Sequence, residues 1–167
     1  MQSEKILFAV ALMCEAQPIV EFLKLKKLDK NLFGNDRFWV FVCGVGEKFG
    51  RNLEELLANH KFDKIVNIGV VGVNHKSIEI GTLFCVNRLI DGIETATLQT
   101  VSKPQTVSNS PKELTLFDME GEHFLSLANK YFDSSKIFVF KIVSDYLDSK
   151  TLEKSFVSAL VKAKIDK

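Results

Sequence analysis

The chain has 167 residues, of which 46% are apolar and 26% charged. That length suits one domain spanning residues 1–167, and the composition excludes a disordered chain. Lys and Arg number 22 against 21 Asp and Glu, a net charge of +1, so no global field draws a nucleic-acid backbone and nucleic acid is not an expected partner. The cysteines are Cys14, Cys43 and Cys85. They are odd in number, far apart and set in or beside apolar runs, which reads as buried reduced thiols in a cytoplasmic protein. The longest apolar run, Ile6 to Cys14, is well short of the ~20 residues a spanning helix needs, so no membrane segment is expected. Glu4 and Met13 argue against reading that run as an export or lipoprotein signal.

Lys5 to Leu12 is apolar throughout, as in a parallel strand covered on both faces. Glu15 to Lys27 predicts an amphipathic helix with Pro18 in its first turn, where proline is tolerated. Arg37 to Cys43 predicts a second strand, Glu47 to Asn59 a second helix with Leu53, Leu56 and Leu57 inward, and Lys64 to Ile68 a third strand. Ile80 to Leu89 predicts a fourth strand and Glu94 to Val101 a weaker fifth. Ser102 to Pro111, rich in Ser, Pro and Asn, reads as a loop. Asp118 to Tyr131 predicts a helix, Lys136 to Val143 a strand, and Ser149 to Lys164 a closing helix. Strands alternating with helices give an α/β fold of three αβα layers around a mixed, mostly parallel sheet.

In open α/β sheets ligands bind at the carboxyl ends of the strands. The segments that follow strands here are Met13-Cys14-Glu15, Gly44-Val45-Gly46, Gly69-Val70-Val71-Gly72 and Ser144-Asp145, and the helix after the loop opens with Asp118-Met119-Glu120. Each has a plain structural explanation. Glu15 suits the first turn of a helix through the macrodipole, and Ser144-Asp145 suits a cap or turn. Gly44-x-Gly46 lacks the third glycine of a dinucleotide fingerprint, and Glu47 would repel a pyrophosphate. Glu120 shares a helical face with Phe124 and Leu127, so it is a candidate buried carboxylate in need of partners or a shifted pKa. His60, His75 and His123 lie in polar surroundings and read as surface residues. No cluster has metal spacing and no P-loop or G-x-S-x-G elbow is present, so neither metal nor cofactor is expected.

Ala11-Leu12-Met13-Cys14-Glu15, Gly44-Val45-Gly46, Asn67-Ile68-Gly69-Val70-Val71-Gly72, Ile80-Gly81-Thr82, Asp118-Met119-Glu120-Gly121 and Val143-Ser144-Asp145 occur in the order found in the purine nucleoside phosphorylase family. Within it the chain most resembles the hydrolase branch, the methylthioadenosine/S-adenosylhomocysteine nucleosidases and futalosine hydrolases. The resemblance runs over nearly the whole chain, and its specific pieces are Asp-Met-Glu-Gly and Ser-Asp.

The resemblance implies a small-molecule nucleoside as substrate, hydrolysis of its N-ribosyl bond to free base and sugar, and a homodimer. It places Glu15 where the family's first-loop glutamate activates the attacking water. Met119 contacts base and sugar, Glu120 binds the ribose hydroxyls, and Asp145, oriented by Ser144, protonates N7 of the leaving purine. Val70 and Gly72 fall in the stretch that approaches water or phosphate, and Val107, with Thr106, stands at the purine-gripping segment. The chemistry suits these types. Breaking a ribosyl C–N bond builds an oxocarbenium-like sugar and an anionic purine, so an acid serves the base and a carboxylate the water.

The chain departs from the family at Val70, where a Ser or Thr is common, and at Thr82, where Gly-Asp is frequent. It is also shorter in the middle, since only Gly92 to Thr115 stands where the family carries a helix, the purine-gripping segment and part of the partner-facing surface. Two other readings follow: an idle nucleoside-binding or scaffold member of the fold, and a phosphorylase. The second is disfavoured because Arg37, Arg51 and Arg88 sit in no phosphate-binding motif.

Overall fold

The structure, a computed structural model, describes residues 3–103, 105–107, 110–148 and 151–167. Its centre is four parallel strands, in the order β4-β1-β5-β9. β1 (Ile6–Val10) lies between β4 (Phe38–Val42) and β5 (Lys64–Val73), with Ile6 opposite both Phe38 and Lys64. β9 (Ile137–Asp145) continues the parallel ladder from Ile65↔Ile137 to Val71↔Val143 and then slips, so that Gly72 faces Asp145. Leu7, Ala9 and Val10 are wholly buried, which is why β1 reads as unbroken apolar sequence rather than alternation.

Helices cover both faces. α1 (Met13–Phe22) and α4 (Lys154–Lys162) pack over Val10 and Ile142 of the sheet through Ile19 and Val161. α2 (Glu47–Asn59) and α3 (Gly121–Tyr131) pack over Leu7, Ile65 and Val139. There Phe49 meets Phe124 edge-on, with centroids 6.3 Å apart, and neither ring reaches solvent. Full burial of such side chains contributes about 1.5–3 kcal/mol each. The expected three-layer, mixed sheet with a parallel centre is the observed one.

Several boundaries differ from the sequence reading. α1 stops at Phe22 rather than Lys27, because Lys24 turns the chain at φ +52°. The lysine-rich tail then forms β2 (Lys26–Asp29), which pairs antiparallel with β3 (Leu32–Gly34), itself antiparallel to β4. β2 is exposed along its whole length, and its lysines guard the sheet edge. β5 does not turn after Ile68; Gly69 to Gly72 are strand, held by β9 on one side and, at Gly72 and Val73, by β8 (Thr115–Asp118) on the other. β8 stands where the reading began a helix, which starts instead at Gly121.

The predicted Ile80–Leu89 strand shrinks to β6 (Leu83–Cys85), antiparallel to β9, because Gly81 at φ +90° sits in a turn before it. β7 (Thr97–Thr100) lies within the predicted Glu94–Val101 strand and runs parallel to β8. No α-helix lies between β6 and β8 among the described residues. α4 begins at Lys154; Ser149, the predicted start, lies outside the described residues, as does Pro104 of the predicted loop. The three cysteines are free, with Cys43 and Cys85 buried. His60 and His123 are exposed, while His75 is half-buried with its Nε2 2.8 Å from the Lys112 carbonyl. Among the described residues no helix is long and apolar enough to cross a membrane.

Candidate active site

Because β1, β4, β5 and β9 are parallel, their carboxyl ends share one edge, and the chain leaves each of them there. Glu15 sits in the first turn of α1, just beyond β1, and is 3% exposed. Its Oε2 accepts from the Ala11 and Leu12 amides, both at 3.0 Å, and its Oε1 accepts from the Val70 amide at 3.3 Å. The Leu12 bond is half of a capping box and by itself would explain the residue. The third bond ties the carboxylate to β5, 55 residues away. Burial pushes the Glu15 carboxyl up to about 7, opposed by those amides and by the charge of Lys141.

Lys141 lies mid-strand in β9 and is 1% exposed. Its Nζ sits 2.7 Å from Asp118 Oδ2. Asp118, the last residue of β8, also accepts from Thr100 Oγ1 at 2.7 Å and from the Gly121 amide at 2.9 Å. A Cβ on Gly69 would stand 3.3 Å from Lys141 Nζ and 3.4 Å from Glu15 Oε1, so the missing side chain brings ammonium and carboxylate to opposite sides of one small space. Sequence reading placed Asp118 only as a helix opener and did not single out Lys141. The available signal was a lysine inside an apolar strand, since a buried ammonium requires a carboxylate partner.

Glu120 caps α3 rather than lying within it, and its Oε1 accepts from the Gly46 amide at 3.1 Å, across from the β4–α2 turn. Burial raises its pKa, with the Gly46 amide and Lys141 opposing. Gly46 has φ +65°, a conformation natural to glycine that turns its N–H toward Glu120.

Asp145 ends β9. Its Oδ1 accepts from the Leu147 amide at 3.0 Å, and its Oδ2 is 2.7 Å from Ser144 Oγ. That hydroxyl also lies 3.1 Å from the Val71 carbonyl, and Ser144 is 4% exposed. A hydroxyl has one hydrogen. It therefore serves one of these two oxygens at a time, and the shorter contact, to Asp145 Oδ2, holds that carboxyl in place. Leu147 holds its position at φ +63°, a strained backbone for leucine. Gly72 makes room: a Cβ there would meet Leu147 Cδ2 at 2.5 Å and Asp145 Oδ1 at 2.9 Å.

Glu15, Val70, Gly72, Met119, Glu120, Ser144 and Asp145 all line one open cavity of about 590 Å³, together with Asp118. Apolar walls come from Leu12, Val45, Phe117 and Leu147. Val107 does not line it; it is half-exposed and its carbonyl accepts from Ser110. From the same loop it is Gln105 that reaches the cavity, with Val101 just before the loop. Among the described residues no group of His, Cys, Asp and Glu has the arrangement of a metal site.

No family model and no curated protein sequence matches the chain. Solved structures do. A Helicobacter pylori 5'-methylthioadenosine/S-adenosylhomocysteine nucleosidase with butyl-thio-DADMe-Immucillin-A superposes at TM-score 0.79 and 13% identity, covering 99% of this chain and 96% of that one. A variant of the Chlamydia trachomatis MTAN bound to MTA gives 0.77 at 18% identity, covering 96% and 94%. An Arabidopsis thaliana 5'-methylthioadenosine nucleosidase in apo form gives 0.74 at 19%, covering 98% and 92%. The chain therefore shares the fold of these nucleosidases along nearly its whole length.

Proposed function

We propose that the protein is a nucleosidase that hydrolyses the N-ribosyl bond of a purine nucleoside, of the methylthioadenosine or adenosylhomocysteine type. The observation that carries the reading is that Glu15, Glu120 and Asp145, which arrive from three separate segments of the chain, line one cavity. Similarity to the fold of nucleosidases solved with MTA and with butyl-thio-DADMe-Immucillin-A supports it.

In this mechanism Glu15, the deepest of the three, takes a proton from water as the water attacks the anomeric carbon. Its raised pKa makes the carboxylate a stronger base near neutral pH. Glu120 accepts hydrogen bonds from the ribose hydroxyls, which strengthen as the sugar gains positive charge. Asp145, with Ser144 behind it, delivers a proton to N7 of the departing purine. Met119 packs against base and sugar, and Gly72 lets Asp145 lie close to β5. In place of the family's hydroxyl, Val70 offers its backbone N–H to Glu15. The reduced cysteines fit a cytoplasmic enzyme, and a homodimer follows from the family resemblance.

The test is release of free base from a panel of 5'-substituted and unsubstituted purine nucleosides. Free adenine from a 5'-thio-substituted adenosine is the expected result. A folded protein that releases no base from any of them would instead be a binding or scaffold member of the fold.

A further inference from the structure

A second concavity lies on the α1/α4 face of the sheet, away from the carboxylate-lined edge, and has a volume of about 310 Å³. Its floor is Phe8 of β1, Ile68 of β5, and Phe140 and Ile142 of β9. α1 and α4 wall one side through Ile19 and Val161, and the short Ile90–Ile93 bridge walls the other. Phe22 at its margin is 55% exposed, and Leu89, next to Ile90, is 87% exposed.

Among the described residues the only charged side chains on this lining are Lys164 and Lys167. They follow α4, and the Lys167 amide bonds back to the Lys164 carbonyl at 3.1 Å, which keeps the two lysines together. The nearby acids, Glu21 and Asp166, line an adjoining recess beside Pro18 and Lys162 that meets the groove at Phe22 and Ile165. The groove is thus apolar along its length and cationic at one end. Such a site recognises an amphiphile with one alkyl chain and one negative charge. At about 30 Å³ per water-sized group, its volume corresponds to about ten methylene-sized groups.

We propose that this groove binds a free fatty acid of medium chain length, its alkyl chain on Phe8, Phe140 and Ile142 and its carboxylate at Lys164 and Lys167. Lysine stems lie along apolar surface with the ammonium at the rim, which places the head group at the groove mouth and the tail inside. The site is independent of the nucleoside chemistry.

The experiment is titration calorimetry of the whole chain with hexanoate, octanoate and decanoate below their micellar concentrations, with decyltrimethylammonium as the opposite charge. Decanoate should bind one per chain, each loss of two carbons should weaken binding about tenfold, and decyltrimethylammonium should not bind. Lys164→Glu with Lys167→Glu, both at the chain surface, should weaken decanoate at least tenfold and leave the melting temperature and base release unchanged. Absence of saturable decanoate binding, equal binding of the cationic amphiphile, or an unaffected double variant would overturn the proposal. So would sedimentation showing a dimer that the double variant dissociates, which would make a second copy the occupant.

Discussion

Lys141 and Asp118 form an ion pair of 2.7 Å between side chains that are 2% and 1% exposed, and the charge of Lys141 acts on both Glu15 and Glu120. Neither charge could stay buried alone. Among the described residues the cavity lining carries carboxylates but no lysine or arginine, and Lys141 beside it is held by Asp118. The charge of Lys141 also opposes the desolvation of Glu15 and Glu120, so one buried pair bears on the pKa of both carboxyls.

Lys141→Met removes one half of that pair and leaves Asp118 buried and uncompensated. The expected loss is about 3–5 kcal/mol of folding stability in chemical denaturation. Lys141→Met with Asp118→Asn should recover much of it, since both charges then go. A single variant within ~0.5 kcal/mol of wild type would show that water reaches the pair.

Glu15 gives a pH signature with a definite sign. Its ordinary value is 4.5 and its folded value about 7. Between these the folded chain binds more protons than the unfolded one, so the residue's contribution to stability is present at low pH and is lost as pH rises through that window. The difference between wild type and Glu15→Gln in denaturation should decline from pH 4.5 to 7, by an amount on the order of a few kcal/mol. Activity runs the other way. On the proposed mechanism the base must be ionised, so the rising limb of kcat/KM for base release should be centred at about 7.

What the sequence disclosed was the layered fold, the parallel central strands and the segments that reach the cavity. These follow from apolar runs and from residues placed just after them. What it concealed depends on partners distant in the chain. Lys26–Asp29 looks like a charged helix tail until Lys24 turns and β3 offers an edge. Gly69-Val70-Val71-Gly72 looks like a turn, yet β8 and β9 flank it and hold it extended. Thr115–Asp118 carries no strand pattern, and pairing with β5 and β7 makes it one. Lys141 was hidden in the same way, since its meaning depends on Asp118, 23 positions earlier in the sequence.

Phosphate should not accelerate turnover. No lysine or arginine lines the cavity among the described residues, and Val70 presents a side chain without a hydroxyl. Arg88 is engaged elsewhere, stacked 4.2 Å from Phe138 with its guanidinium on the Ser134 and Ser135 carbonyls. Base release measured with and without phosphate should coincide, with free sugar as co-product. Sugar 1-phosphate as the main product would move the protein to the phosphorylase branch.

Gly72→Ala should lower activity without touching a reacting atom. The new methyl would overlap Leu147 Cδ2 and crowd Asp145 Oδ1, and Leu147, already strained, has little freedom to yield. Asp145 is then displaced from β5. An overpacked site of this kind costs about 1–3 kcal/mol, so the melting temperature should fall while kcat falls further than stability alone explains. Unchanged kcat would mean that the carboxylate position is not critical.

Asp145→Asn isolates the acid. Asparagine has nearly the same shape, and its amide oxygen can still accept from the Leu147 amide that now bonds Oδ1. What it lacks is a transferable proton. General acid catalysis contributes about 10²- to 10⁴-fold, so adenine release from a 5'-substituted adenosine should fall by that order while the melting temperature holds. If Asp145 were only a strand-end turn former, asparagine would replace it in both roles, because it caps and turns as well as aspartate does. Equal rates at equal melting temperature would therefore remove Asp145 from the mechanism and leave Glu15 and Glu120 without an acid to complete it. A slowed substrate with a poor leaving group, set beside an unslowed one whose base leaves without protonation, would place the lost proton at the purine rather than at the sugar.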